Sequence, residues 1–171
     1  NRYSENEQDF GTFPFQLPNG LATSLKNYPD RFQKAGEYYA WRYLHSFCEG
    51  RGANYGRHIS KPLESRKSCG RISPYLAWGN LSVKQAVHYV KFNPNYENQK
   101  RSFNGLLTRL KWRCHFIQKF EVECAYETHC INRGYETLEH DNNPKFLRAW
   151  KQGKTGIPLV DACMRCVSET G

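Results

Sequence analysis

Between Lys100 and Glu123 the apolar residues Phe103, Leu106, Leu107, Leu110, Cys114, Ile117 and Phe120 recur at intervals of three or four. That spacing puts them on one face of a long α-helix, which must be covered by other elements if it is to fold. The remaining periodic segments are helical as well. Tyr39, Ala40, Tyr43, Leu44, Phe47 and Cys48 mark a helix over Ala35–Glu49 that stops at Gly50, and Ser82 caps one running to about Val90 with Val83, Ala86, Val87 and Val90 inward. Asn143-Pro144 starts another, with Phe146, Leu147 and Trp150 on one face and Gly153 at its end. Pro158 opens the last, with Val160, Cys163, Met164 and Val167 toward the core. A short helix over Leu21–Lys26 ends near Pro29, and residues 1–20, broken by Pro14, Pro18 and Gly20, read as an irregular lead-in. Asn93–Asn98 is a loop, and Ala125–Asn143 reads as loops or short helical turns. The fold class expected is all-α.

A chain of 171 residues is one domain's worth, long enough to bury a core. Its 25 Lys+Arg against 16 Asp+Glu leave a net charge of +9, which favours nucleic acid, an acidic surface or a phosphate-bearing cofactor as partner. The seven cysteines are irregularly spaced, which argues for a reducing compartment over a disulfide framework. Cys163-x2-Cys166 is the only ligand-like spacing, with Cys124, His129 and Cys130 as co-ligand candidates; without a second such pair no metal site is expected. No stretch has the length of a membrane helix and the start lacks a signal-peptide layout, so the expectation is a soluble, intracellular protein with no membrane partner. Asn80-Leu81-Ser82 matches a glycosylation sequon but is better explained by a turn and a helix cap.

One stretch carries chemistry of its own. In Ser68-Cys69-Gly70-Arg71-Ile72-Ser73-Pro74, Gly70 frees the backbone, Ser73 suits an N-cap and Pro74 the first helical position. Arg71 adds a positive charge beside those amides, so a phosphate or pyrophosphate is a plausible ligand, with an ordinary capped helix as the alternative. On the long helix, Arg101, Arg109, Lys111, Trp112 and Arg113 lie away from the apolar stripe. Cations flanking a large ring suit a backbone phosphate and a stacked base, one end of a cofactor, or simply solvent. Gly153-Lys154-Thr155 is not a nucleotide-hydrolase phosphate loop, because Arg148 stands where a glycine is needed and the preceding residues are helical.

Arg71-Ile72-Ser73-Pro74-Tyr75-Leu76-Ala77-Trp78-Gly79-Asn80-Leu81-Ser82 resembles the photolyase/cryptochrome family, and three later pieces agree in order. These are Leu110–Arg113, Leu147–Pro158 and Val160–Arg165. The resemblance is good over 55–171 and loose over 1–54, and it implies a partial helical FAD-binding domain of photolyase type spanning 1–171. Family members continue past Thr170-Gly171, so the chain is expected to hold the phosphate side of the cofactor pocket and lack much of the isoalloxazine side.

For individual residues the resemblance implies that Tyr55, Cys69, Gly70, Arg71, Ile72, Ser73, Arg113 and Arg165 touch or support FAD. Arg109, Lys111, Trp112, Lys154 and Thr155 would meet DNA, with Trp112 and Arg109 nearest a flipped base. Two positions depart from the family. Arg109 stands where most pyrimidine-dimer photolyases have a glutamate, and a cation cannot accept that residue's hydrogen bonds. Cys69-Gly70 replace Thr-Ser in the phosphate turn, so two hydroxyl donors are missing while the amides remain. The implied activity is light-driven electron transfer from FAD to pyrimidine lesions in DNA, a lyase chemistry. The alternatives are a cryptochrome-like photoreceptor without repair activity and a non-flavin basic DNA-binding helical module. The implied location is cytoplasmic, or nuclear in a eukaryote.

Overall fold

The computed structural model describes residues 32–170 together with Pro18, Gly20, Leu21, Thr23 and Asn27. The lead-in expected over 1–20 and most of the helix expected over Leu21–Lys26 therefore lie outside the described residues. Among those residues there are eight α-helices and no strand, so the chain is all-α as expected. They divide into two compact units, Gln33–Cys124 and, with the described residues before Gln33, Ala125–Thr170.

The first unit is organised on α1 (Glu37–Ser46), α5 (Val83–Lys91) and α6 (Lys100–Val122). Ala40 and Leu44 of α1, Ala86 and Val90 of α5, and Phe103, Leu106, Leu107 and Leu110 of α6 are buried in one cluster with Phe47, Tyr55, Ile72, Tyr75, Leu76 and Leu81. Burying a residue such as Phe103 in full contributes about 2–3 kcal/mol. The three are joined by short helices: α2 (Tyr55–His58), α3 (Pro62–Ser68) and α4 (Ser73–Ala77). α3, only seven residues long, is too short to show an apolar period in the sequence, and Pro62 marks its start.

α1 does not run to Glu49 as one regular helix. At Phe47–Arg51 it widens into a π-type turn, and Gly50, at φ +147°, breaks it with a backbone that side chains rarely adopt. The chain folds back tightly enough that a Cβ on Gly52 would lie 2.6 Å from the Phe47 ring. Ser82 accepts a hydrogen bond from the Gln85 amide while the Gln85 side chain accepts from the Ser82 amide, a complete capping box that starts α5 as expected.

The second unit holds two short 3-10 turns, Cys124–Glu127 and Arg133–Thr137, the first beginning at the boundary, and then α7 (Pro144–Lys151) and α8 (Pro158–Thr170). Asn143 caps α7 through the amides of Lys145 and Phe146, as its position before Pro144 predicts. Several residues of the apolar helix faces do not reach the core. Ile117 and Phe120 of α6, Phe146, Leu147 and Trp150 of α7, and Val167 of α8 are all exposed. The periodicity is right, but the described residues provide no second layer over these faces.

Candidate functional site

The segment 69–73 links α3 to α4, and its geometry is set from behind by Arg51 at the end of the π-type turn. Arg51 Nε donates to Ser46 Oγ at 3.0 Å and Nη2 to the carbonyls of Tyr43 at 2.9 Å and Gly70 at 3.3 Å. Nη1 donates to Lys67 O at 2.8 Å and to Cys69 O. All five N–H groups of the guanidinium fork therefore have acceptors, and none of these is a carboxylate. Burial, then the neighbouring Arg71, lowers the Arg51 pKa from its ordinary value.

Arg71 is held by Gln33. The Gln33 amide donates to Arg71 O at 2.8 Å, and Gln33 Oε1 accepts from Arg71 Nε at 3.3 Å and Nη2 at 3.1 Å. Arg71 Nη1 donates to Arg66 O at 3.3 Å, and both Arg71 and Arg51 lie over the Tyr43 ring, 5.9 and 5.8 Å from its centroid. Arg71 has φ +57°, and Ile72 follows at φ −98°, ψ −3°, a left-then-right alternation of the kind that brings successive amides to one side. The amides of Gly70, Arg71, Ile72 and Ser73 donate to no protein group among the described residues.

Two details differ from the sequence reading. Ser73 is the first residue of α4 and caps nothing with its side chain; Ile72 occupies the cap position. α4 is also only five residues long, so any anion affinity comes from the turn's own amides and cations and not from a helix terminus. Cys69 is half-buried, and burial raises its thiol pKa while Arg51 and Arg71 oppose the rise. Ile72, 3% exposed, anchors the turn in the core and offers only its amide.

The residues picked out on α6 separate into three directions, because each residue turns the helix by about 100°. Arg113 Nη2 donates to Leu76 O at 3.2 Å and ties α6 to α4. Arg109 and Trp112 lie on the face that begins at Gly105, where Tyr55 packs. The Arg109 guanidinium sits 5.4 Å from the Trp112 ring centroid, and Trp112 meets Phe116 edge-on at 6.3 Å. Tyr55 itself is 5% exposed and stands edge-on to Phe47; burial raises its pKa and the Arg109 cation opposes that rise. Lys111 points elsewhere. It lines a cavity of about 430 Å³ between α5 and α6 together with Val83, Val87, Lys91 and His115, so it does not share a face with Arg109.

Arg165, Lys154 and Thr155 belong to the second unit, where Asp161 organises them. The Asp161 carboxylate, on a residue 6% exposed, accepts from the Thr155 amide at 2.8 Å, Thr155 Oγ1 at 2.7 Å and the Gly156 amide at 3.1 Å. Those hydrogen bonds, the Thr155 hydroxyl first, hold its pKa below the ordinary carboxylate range. Arg165 is 3.9 Å from Asp161 and donates from Nε and Nη2 to Gly153 O at 3.1 and 2.8 Å. The Lys154 side chain is exposed and the Thr155 hydroxyl faces inward. The Asp161–Arg165 ion pair is thus the lesser part of Asp161's role. Arg51 and Gln33 carried no motif signal, since their partners are mostly backbone groups distant in sequence, and the Val160–Arg165 motif did not reveal that Asp161 holds the Thr155–Gly156 loop.

Among the described residues no three His, Cys, Asp or Glu side chains cluster as metal ligands, and no helix is long and apolar enough to cross a membrane. The donor set of the turn does suit a diphosphate: four adjacent amides without protein acceptors beside two guanidinium groups, neither of which meets a carboxylate among the described residues.

The family model for the FAD binding domain of DNA photolyase matches residues 106–171. A deoxyribodipyrimidine photo-lyase of Alkalihalophilus pseudofirmus is 30% identical over 164 residues, covering 94% of this chain and 33% of the relative. That of Escherichia coli is 30% identical over 131 residues (75% and 27%), and that of Halobacterium salinarum 23% over 169 residues (95% and 31%). The chain spans a third or less of the length of these relatives. With the family model matched over residues 106–171 and relatives aligned along most of the sequence, the chain is similar to part of the FAD-binding helical domain of DNA photolyases, and this similarity supports FAD as its cofactor.

Proposed function

We propose that the chain grips the diphosphate of FAD with Cys69–Ser73 in a protein that repairs pyrimidine lesions in DNA by light-driven electron transfer. The observation that carries this reading is the turn itself, with its four unpartnered amides beside Arg71 and Arg51. Reduced FAD supplies the electron, and the protein supplies binding, orientation and charge. Arg113 ties α6 to α4 and Tyr55 packs on α6 at Gly105, so each holds the frame of the cofactor site from its own side, and Arg165 steadies the Gly153 loop. Trp112, 54% exposed and flanked by Arg109, offers a ring for an unstacked base and a cation for a phosphate. Lys154, exposed, is a further DNA contact of the backbone kind, with the Thr155 hydroxyl turned inward to Asp161 beside it, whereas Lys111 lies on another side of α6 from the Arg109–Trp112 pair.

The cryptochrome-like reading, light response without repair, is favoured by one observation. Arg109 occupies the position of the family's glutamate and is engaged by Tyr55 and Trp112, so it is fixed where a base acceptor would be needed. Measurements on the purified protein separate the readings. Flavin absorbance and an FAD-dependent thermal shift are expected for either light-driven function; a colourless protein with salt-sensitive DNA affinity points to a plain DNA-binding module. Loss of pyrimidine dimers under blue light establishes repair, and intact dimers with a bleaching flavin establish the photoreceptor.

A further inference from the structure

The peptide group is planar and trans, so a carbonyl held on one side sends the following N–H to the other. Arg51 takes the carbonyls of Cys69 and Gly70 on one side of the turn, which sends the amides of Gly70 and Arg71 to the opposite side. Gln33 takes the carbonyl of Arg71 and does the same for the amide of Ile72. The Lys67 carbonyl, held by the same guanidinium nitrogen as Cys69, fixes the end of α3 from which the turn departs. No other side chain among the described residues reaches three carbonyls of this segment.

We propose that Arg51 is the positioning residue of the phosphate turn: by holding the Lys67, Cys69 and Gly70 carbonyls from behind, it presents the Gly70 and Arg71 amides to the diphosphate. This rests on the FAD reading for the identity of the anion. Geometry and not charge alone is required, because a guanidinium is a rigid fork of five donors, whereas a lysine brings the same charge with three donors on one atom. Arg51 also has no carboxylate partner among the described residues, so its donors are given over to the Ser46 hydroxyl and the backbone carbonyls of Tyr43 and this segment.

The test uses Arg51→Lys and Arg51→Gln in the 171-residue chain, with binding of FAD and of ADP measured by calorimetry at low temperature and stability followed separately by circular dichroism. ADP carries the diphosphate without the flavin. Both variants are expected to bind both ligands about tenfold or more weakly, on the scale of lost charge-assisted hydrogen bonds, with lysine giving no rescue. Lysine restoring wild-type affinity overturns the proposal in favour of simple charge. Wild-type affinity in both variants with only a lower melting temperature overturns it in favour of a packing role. Wild-type protein that binds ADP but gains nothing from the flavin leaves Arg51's role standing and removes the FAD reading, whereas binding of neither removes both. Should both variants fail to fold, the wild-type NMR spectrum decides. Slowly exchanging Arg51 Nη protons whose shifts move together with the Gly70 and Arg71 amides on adding ADP are required, and rapidly exchanging, unmoved Nη protons overturn the proposal.

Discussion

A Cβ on Gly105 would lie 2.9 Å from Cε1 of Tyr55, so the Tyr55 ring lies against the bare backbone of α6. Gly105→Ala gains about 1 kcal/mol of helix propensity but forces the ring aside at a cost of about 1–3 kcal/mol, and the second term wins. The expected outcome is a net loss of about 1 kcal/mol in urea unfolding and a changed near-UV spectrum. Adding Tyr55→Leu, which removes the ring edge, should shrink the penalty from the alanine in a double-mutant cycle.

The two serines at helix starts should behave oppositely. Ser82→Ala removes the capping box of α5 and should cost about 1 kcal/mol of stability. Ser73→Ala should leave the ligand-free protein within about 0.5 kcal/mol, since the Ser73 side chain caps nothing. Denaturant midpoints compare the pair, and a weaker FAD affinity for Ser73→Ala alone would place its hydroxyl at the phosphate.

Trp112 offers a clean separation of binding from folding. More than half of the ring is exposed, so Trp112→Ala should change stability by no more than about 0.5 kcal/mol. Affinity for lesion-bearing DNA should fall by about 1–3 kcal/mol, the scale of a base stacked on an aromatic ring. Unchanged discrimination between damaged and intact DNA would refute the role.

The Asp161 loop carries a pH dependence of definite sign. Because the folded pKa lies below the unfolded one, the carboxylate's contribution is fully present above the ordinary carboxylate range and is lost as pH falls through the lowered folded value. Protection of the Thr155 and Gly156 amides, measured against intrinsic exchange at each pH, should hold near neutral pH and fall only in strong acid. In Asp161→Asn those amides should exchange faster at neutral pH, with a flatter acid profile.

Cysteine chemistry should follow burial. Cys48 is fully buried, and burial, with help from Glu49, pushes its thiol up to about 12, so almost no thiolate exists at pH 8. Cys124, Cys130 and Cys163 are exposed. Mass spectrometry after alkylation of the native protein should find those three labelled and Cys48 labelled only after unfolding.

Much of the helical plan was legible because its signals are local. The caps at Ser82 and Asn143, the Pro158 start and the four-residue core of α6 follow from a hydroxyl or amide in reach of nearby amides and from apolar spacing. The same spacing put Ile117 and Phe120 in the stripe of α6 that was to be covered, although both are exposed, because periodicity says which face is apolar and not whether anything covers it. It also grouped Lys111 with Arg109, though about 200° of helix rotation separates two residues that stand two apart.

The sequence by itself determined the family resemblance, through Arg71–Ser82 and three later motifs in the same order, and the expectation of a phosphate turn, since the glycine, arginine, serine and proline of Gly70–Pro74 constrain backbone and charge together. Only the tertiary structure decided how that turn is held. Gln33 lies 38 positions from Arg71 and Arg51 lies 18 from Cys69, and a side chain's choice of a distant carbonyl depends on how the helices between them pack, which no local pattern encodes.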